Sequence, residues 1–273
     1  MINTKNNKSS IFFIHANGFP PDSYKSLYEN INSYSKINNF LLRPLWKEYT
    51  NHEILKDWGF FHNDFLGHIK NNNLTNIIGI GHSIGGNIIL KSAILEPKYF
   101  SKIILLDPTL FTPFRIFIWK LILSINLQDN FHPFLKRALN RKMSYSSYDE
   151  IFSSYRSKHI FKKINDLDLN NYIKSITKEN KHSIDISYSN KWEYQIYKTG
   201  LINDSIIWNN IKKLKIPCLI IRAENSNAFL DSSERKIKKL NPNIQFKTLP
   251  NSSHLFPLEF PSSTSDIILS FIK

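Results

Sequence analysis

One stretch of the chain constrains its fold more than any other. Asn76-Ile77-Ile78-Gly79-Ile80 is a short, β-branched apolar run that passes straight into Gly81-His82-Ser83-Ile84-Gly85-Gly86 and then into the helix-like Asn87–Leu95. A strand that becomes a helix so abruptly must bend where side chains would collide. Gly81 and Gly85 stand two residues either side of Ser83, where a Cβ would meet the other arm of the turn. Such a turn strains the serine backbone and lifts Oγ above the sheet edge. It also sets Oγ beside the first N–H groups and the positive dipole end of the helix. Ser83 is therefore the expected nucleophile. The alternative is an idle serine in a glycine-rich turn, or a phosphate cradle. The chain carries neither G-x-x-x-x-G-K-[ST] nor G-x-G-x-x-G, which disfavours the nucleotide version.

Around that turn, short apolar runs alternate with longer helical segments. The spacing predicts strands at Ile11–Ile14, Phe40–Arg43, Asn76–Ile80, Lys102–Leu106, Pro217–Arg222 and Ile244–Leu249. Continuous apolar strands separated by helices imply a mostly parallel sheet covered on both faces. The alternation breaks once, for about a hundred residues after Leu106. Helical patterns fill the gap at Phe114–Asn126, Asp129–Asn140, Ser147–Lys158, Leu169–Ser175 and Trp192–Thr199. The implied organisation is a core made of residues 1–110 and 211–273, with residues 111–210 inserted as a helical cap. Ile116–Leu123 is expected to face a substrate pocket rather than a membrane surface.

Bulk properties exclude several classes. At 273 residues, with 41% hydrophobic and 14% aromatic content, the chain can bury a large core. Its single cysteine, Cys218, forbids an internal disulfide and lies in an apolar run where it reads as a buried, inert thiol. Ile11–Ile14 is too short for a signal-peptide core, and no apolar stretch is long enough to span a bilayer. A cytoplasmic protein is the expectation. The net charge of +14 comes from lysines scattered along the chain, and the cluster Arg235, Lys236, Lys238, Lys239 reads as a solvated helix face. No nucleic-acid partner is expected, and membrane contact is disfavoured. The histidines show no H-E-x-x-H spacing, so no metal is expected.

With the serine turn in place, a second segment, Ile11–Ile14 followed by His15-Ala16-Asn17-Gly18-Phe19-Pro20, completes a resemblance to the α/β-hydrolase superfamily. The cap is similar to a subgroup of small cap-bearing hydrolases through Trp192-Glu193-Tyr194-Gln195-Ile196-Tyr197-Lys198-Thr199-Gly200-Leu201. The resemblance implies an oxyanion hole built from the backbone N–H groups of Asn17 and Ile84, with Ala16 where the family usually has glycine. It implies structural roles for His15 and His82. It also implies that His254, in the loop after the last strand, is the base. Only ten residues precede the first strand, so the fold's N-terminal hairpin is expected to be absent and the sheet to hold about six strands.

The acid is the open position. The loop where the family most often carries it reads Arg222-Ala223-Glu224-Asn225-Ser226-Asn227, without the aspartate. Asp107 ends the strand after the nucleophile helix, at the carboxyl edge where catalytic groups gather in open α/β sheets. The chain resembles small esterases that pair such an aspartate with a serine on the later loop. Asp107 is accordingly the expected acid, Ser226 its hydrogen-bonding auxiliary and Glu224 the fallback. A strand-end aspartate that only caps the turn before Pro108 is the alternative. The expected function is hydrolysis of a carboxylic ester or similar small acyl substrate through an acyl-enzyme, with no cofactor. A thioester or C–C substrate, a non-catalytic binding member and a peripheral lipase remain alternatives.

Overall fold

The computed structural model describes residues 9–48, 51–200 and 202–273; the polar N-terminal residues and Leu201 of the cap resemblance lie outside them. The chain begins with β1 (Ser10–Ile14), α1 (Lys25–Asn32), β2 (Ile37–Phe40), α2 (Gly59–Asn71), β3 (Ile77–His82), α3 (Ile84–Leu95) and β4 (Phe100–Leu106). The inserted elements follow: α4 (Pro113–Ser124), α5 (Gln128–Phe131), α6 (Pro133–Leu139), β5 (Ser144–Tyr145), α7 (Tyr148–Arg156), α8 (Asp166–Ile176), β6 (Thr177–Asn180), β7 (Ser183–Ile186) and α9 (Asn190–Thr199). The chain then returns through α10 (Ser205–Asn210), β8 (Cys218–Asn225), α11 (Asp231–Leu240), β9 (Gln245–Ser253), α12 (Phe256–Glu259) and α13 (Pro261–Ile272).

Among the described residues, the main sheet holds six strands in the order β2-β1-β3-β4-β8-β9, all paired in parallel. Strand side chains alternate between two cores, which is why these strands read as unbroken apolar runs. Phe12 and Ile14 of β1 and Ile103 and Leu105 of β4 pack with α2 and α3. Ile11 and Phe13, with Ile104 and Leu106, pack on the other face with α1 and α13. The fold is the α/β-hydrolase arrangement the sequence implied.

Three expectations need correction. The second strand is Ile37–Phe40 rather than Phe40–Arg43, pairing Ile11 with Ile37 through Ile14 with Phe40. It is an edge strand whose Asn38 and Asn39 face solvent, so the more apolar Phe40-Leu41-Leu42 was the misleading signal. The Leu42 N–H donates to His15 Nε2 instead of a ladder, and a 3-10 turn follows at Arg43–Leu45. The inserted region is not wholly helical: β5, β7 and β6 form a small antiparallel sheet, following the alternation in Ser183-Ile184-Asp185-Ile186. The helix expected over Asp129–Asn140 is two short helices, because Pro133 has no N–H to continue the first.

Candidate active site

The functional side chains converge where β3, β4, β8 and β9 end. Ser83, between β3 and α3, has φ 58° and ψ −119°. That conformation explains the glycines. A Cβ on Gly81 would run into the backbone of Gly85, and one on Gly85 into the carbonyl of Ile14. The Ser83 N–H donates to the Leu106 carbonyl at 2.9 Å, and the Ser83 carbonyl accepts from Thr109 N–H at 3.1 Å, so the end of β4 pins the turn. Ser83 is 8% exposed.

A continuous line of hydrogen bonds leaves Ser83. Its Oγ lies 2.9 Å from His254 Nε2, and His254 Nδ1 lies 2.6 Å from Asp107 Oδ2. Asp107 is fully buried, with φ 42°. The Ser226 hydroxyl donates to Asp107 Oδ2 at 2.6 Å, and the Ala223 N–H donates to Oδ1 at 3.0 Å. Ser226 Oγ is itself held by the Ala228 and Phe229 N–H groups. The carboxylate thus has three donors, so neither of its buried oxygens is left without a partner. The structure brings together Ser83, His254, Asp107 and Ser226. It does not bring Glu224: that side chain is exposed, and its carboxylate accepts the Asn251 N–H at 2.7 Å. An irregularity in the β8–β9 pairing at Ala223 and Asn225 accompanies this displacement.

The Asn17 turn follows β1, which pairs with β3, and its start packs against Gly85 of the serine turn. Among the described residues, neither the Asn17 nor the Ile84 backbone N–H has a hydrogen-bond acceptor in the protein. The Ala16 N–H is occupied, donating to Tyr24 Oη at 3.2 Å. Tyr24 Oη sits 2.7 Å from His82 Nδ1, and His82 Nε2 sits 2.8 Å from the His254 carbonyl. One assignment of protons satisfies every atom: Tyr24 donates to Nδ1, and the Nε2–H donates to His254. Burial, helped by the neighbouring His254, holds His82 well below the ordinary imidazole range. His15 is likewise pushed down to about 4 by burial and bonds Ala16 and Leu42. Both imidazoles are therefore neutral, buried connectors.

Two contacts had no sequence signal strong enough to reveal them. The Thr109 hydroxyl lies 3.0 Å from Ser83 Oγ, and its carbonyl accepts from Asn87 Nδ2, which also donates to Asp204. Burial pushes the Asp204 carboxyl up to about 6. The inserted region grips the Asn17 turn: Tyr188 Oη donates to Asn17 Oδ1 at 3.1 Å, and Asn17 Nδ2 donates to the Glu193 carbonyl at 3.2 Å. The Glu193 side chain is paired with Arg141 and lies over Gly18. Among the aromatics of the inserted region, Trp192 is buried against Phe61, whereas Phe114, Phe117 and Phe131 are exposed.

Fold and site together define a hydrolase of the α/β class. The chain belongs to the alpha/beta hydrolase fold family, whose sequence profile matches residues 43–261. Over 109 aligned residues it is 28% identical to the type I acyl-CoA thioesterase mpaH of Penicillium brevicompactum, an alignment covering 34% of this chain and 25% of that protein. It thus spans about a quarter of the length of that relative. Among solved structures, the thioesterase domain from the curacin biosynthetic pathway superposes with a TM-score of 0.73 at 13% identity, covering 96% of this chain and 90% of that one. An esterase of M. tuberculosis superposes with a TM-score of 0.73 at 11% identity, covering 97% and 85%. At such identities the structural likeness is one of fold.

Proposed function

We propose that the protein is a serine hydrolase that cleaves a carboxylic ester through an acyl-enzyme, with Ser83 as nucleophile, His254 as base and Asp107 as acid. The observation that carries this reading is the unbroken line from Ser83 Oγ through both His254 nitrogens to Asp107. In the first step, Ser83 Oγ bonds to the acyl carbon while its proton passes to His254 Nε2. Asp107 keeps the proton on Nδ1 and stabilises the imidazolium. The developing oxyanion is taken by the N–H groups of Asn17 and Ile84. The leaving oxygen then takes the Nε2 proton as its bond to carbon breaks. In the second step a water gives a proton to Nε2, attacks the acyl carbon and releases Ser83 with its hydroxyl restored.

A small acyl thioester is the second reading, favoured by the similarity to an acyl-CoA thioesterase. The inserted residues 111–210 act in either case as the cap over the site, and Asn17 joins the two parts. The test is turnover of p-nitrophenyl esters and acyl-CoA thioesters of increasing acyl length, wild type beside Ser83→Ala. Turnover by wild type alone supports the reading, and the better leaving group separates ester from thioester. Hydrolysis retained in Ser83→Ala overturns it.

A further inference from the structure

Helix α4 is apolar apart from Arg115, Lys120 and Ser124, yet of its residues, all of them described, Ile116 alone is buried. Phe114, Phe117, Ile118, Leu121 and Ile125 follow one another at helical spacing, and all are exposed, Phe114 by 71% and Ile125 by 62%. Leu127 and Phe131 carry the exposed series into α5, which packs beside α4. Scattered exposed apolar side chains are ordinary, but a contiguous series marks a surface that meets something other than water. The sequence placed this helix against substrate; the structure turns its rings outward.

Charge selects what meets it. From Pro108 to Gln128 there is no acidic residue, and Arg115 and Lys120 stand exposed on the same helix. Lys136 and Arg137 add exposed cations on α6. The nearest following acid, Asp129, is bonded by the Tyr194 hydroxyl. A second copy of this chain, itself at +14, would bring like charge to the same face. An anionic bilayer brings the opposite charge, together with an apolar layer for the rings. We propose that α4 and α5 dock the protein on an anionic lipid surface, with Phe117 and Leu121 at the acyl boundary and Arg115 and Lys120 among the headgroups.

The helix lies in the interface rather than across it. At 12 residues it is about 18 Å long, well short of a hydrocarbon core of about 30 Å. No helix among the described residues is long and apolar enough to cross a membrane. Pro113 is four residues past Thr109, whose hydroxyl touches Ser83 Oγ, so a docked α4 holds the site next to lipid. The docking itself does not rest on the chemistry of Ser83.

Co-sedimentation of the full chain tests it, with vesicles of phosphatidylglycerol and phosphatidylcholine in equal parts and with phosphatidylcholine alone, at physiological salt. Wild type and Ser83→Ala pellet with the anionic vesicles and stay in solution with the neutral ones. Replacing both Phe117 and Leu121 with Ser lowers partitioning at least about tenfold, from the lost apolar burial. Arg115→Gln and Lys120→Gln lower it roughly fivefold each. Because these side chains are exposed, unchanged melting temperatures show that the variants fold. Failure to pellet with anionic vesicles overturns the proposal, as does pelleting that all four substitutions leave unchanged. Light scattering that finds a dimer which Phe117→Ser dissociates also overturns it, by assigning the face to a second copy.

Discussion

The carboxyl end of the sheet and helix α4 are separated by a few residues and built on opposite terms. At the sheet end, polar groups are buried and partnered: Asp107 has three donors, His82 bonds through both nitrogens, and Ser83 is pinned through its backbone on both sides. Ser83 and Asp107 also hold positive φ, a conformation that costs a non-glycine residue about 1–3 kcal/mol and persists only where its surroundings over-determine it. Along α4 the backbone is relaxed and, apart from Ile116, no side chain is buried. Strain held in place by hydrogen bonds to the backbone and to Asp107 marks a place where atomic positions are specified. Relaxed backbone under exposed rings marks a place where only a kind of surface is specified. Substitutions should therefore be costly in chemistry at one region and nearly silent there at the other.

The sharpest way to break that contrast is at Ser83. Ser83→Ala should lower kcat at least about 10^5-fold while the melting temperature stays close to wild type. Asp107→Asn should follow, at roughly 10^4-fold in kcat, because it removes the group that fixes the His254 tautomer. Glu224→Gln, at the exposed end of β8, should stay within about twofold. The reverse order in a steady-state comparison would move the acid to Glu224.

The buried imidazoles predict the pH dependence of stability. His15 and His62 are both lowered from 6.5 to about 4 by burial, and His82 lies well below 6.5 for the same cause. The unfolded chain binds their protons first, so stability is full above pH 6.5 and is lost as pH falls toward 4. His15 alone accounts for about 3 kcal/mol. Asp204, raised from 3.8 to about 6, acts in the opposite sense across pH 6 to 3.8 and offsets about one imidazole. Three outweigh one, so denaturant unfolding should show a net loss of stability on acidification. A gain would overturn the neutral assignment of these rings.

Smaller effects sharpen the contrast. Tyr24→Phe leaves His82 Nδ1 and the Ala16 N–H without their shared partner. It should lower kcat about tenfold with little change in KM, since it loosens the Asn17 turn, the proposed oxyanion site, and the His254 backbone rather than substrate contacts. Last comes Phe117→Ser, which should leave kcat on a short water-soluble ester within about twofold and stability within about 0.5 kcal/mol.

What the sequence reveals divides along the same line. The Ser83 turn is legible because steric exclusion leaves only glycine at positions 81 and 85. Asp107 is legible because it follows a buried strand at the edge where Ser83 emerges. Tyr24 and Thr109 are not, since a tyrosine before a surface helix and a threonine after Asp107-Pro108 have many uses, and only three-dimensional closure selects one. The β2 shift escapes notice because an edge strand can be polar and its neighbouring loop apolar. For α4 the sequence shows an apolar helix but not which way it faces, because a helix apolar all round has no periodicity from which to read a buried side.

The tie between Asn17 and the inserted region bears on engineering. Asn17 lies in the turn after β1, but both ends of its side-chain amide are bonded by residues far along the chain, Tyr188 and Glu193. A chimera that exchanged residues 111–210 for those of another hydrolase would orphan that amide, unless the graft supplied a hydroxyl and a carbonyl in the same places. Asn17 is the seam of such a graft, and it is the position to redesign first.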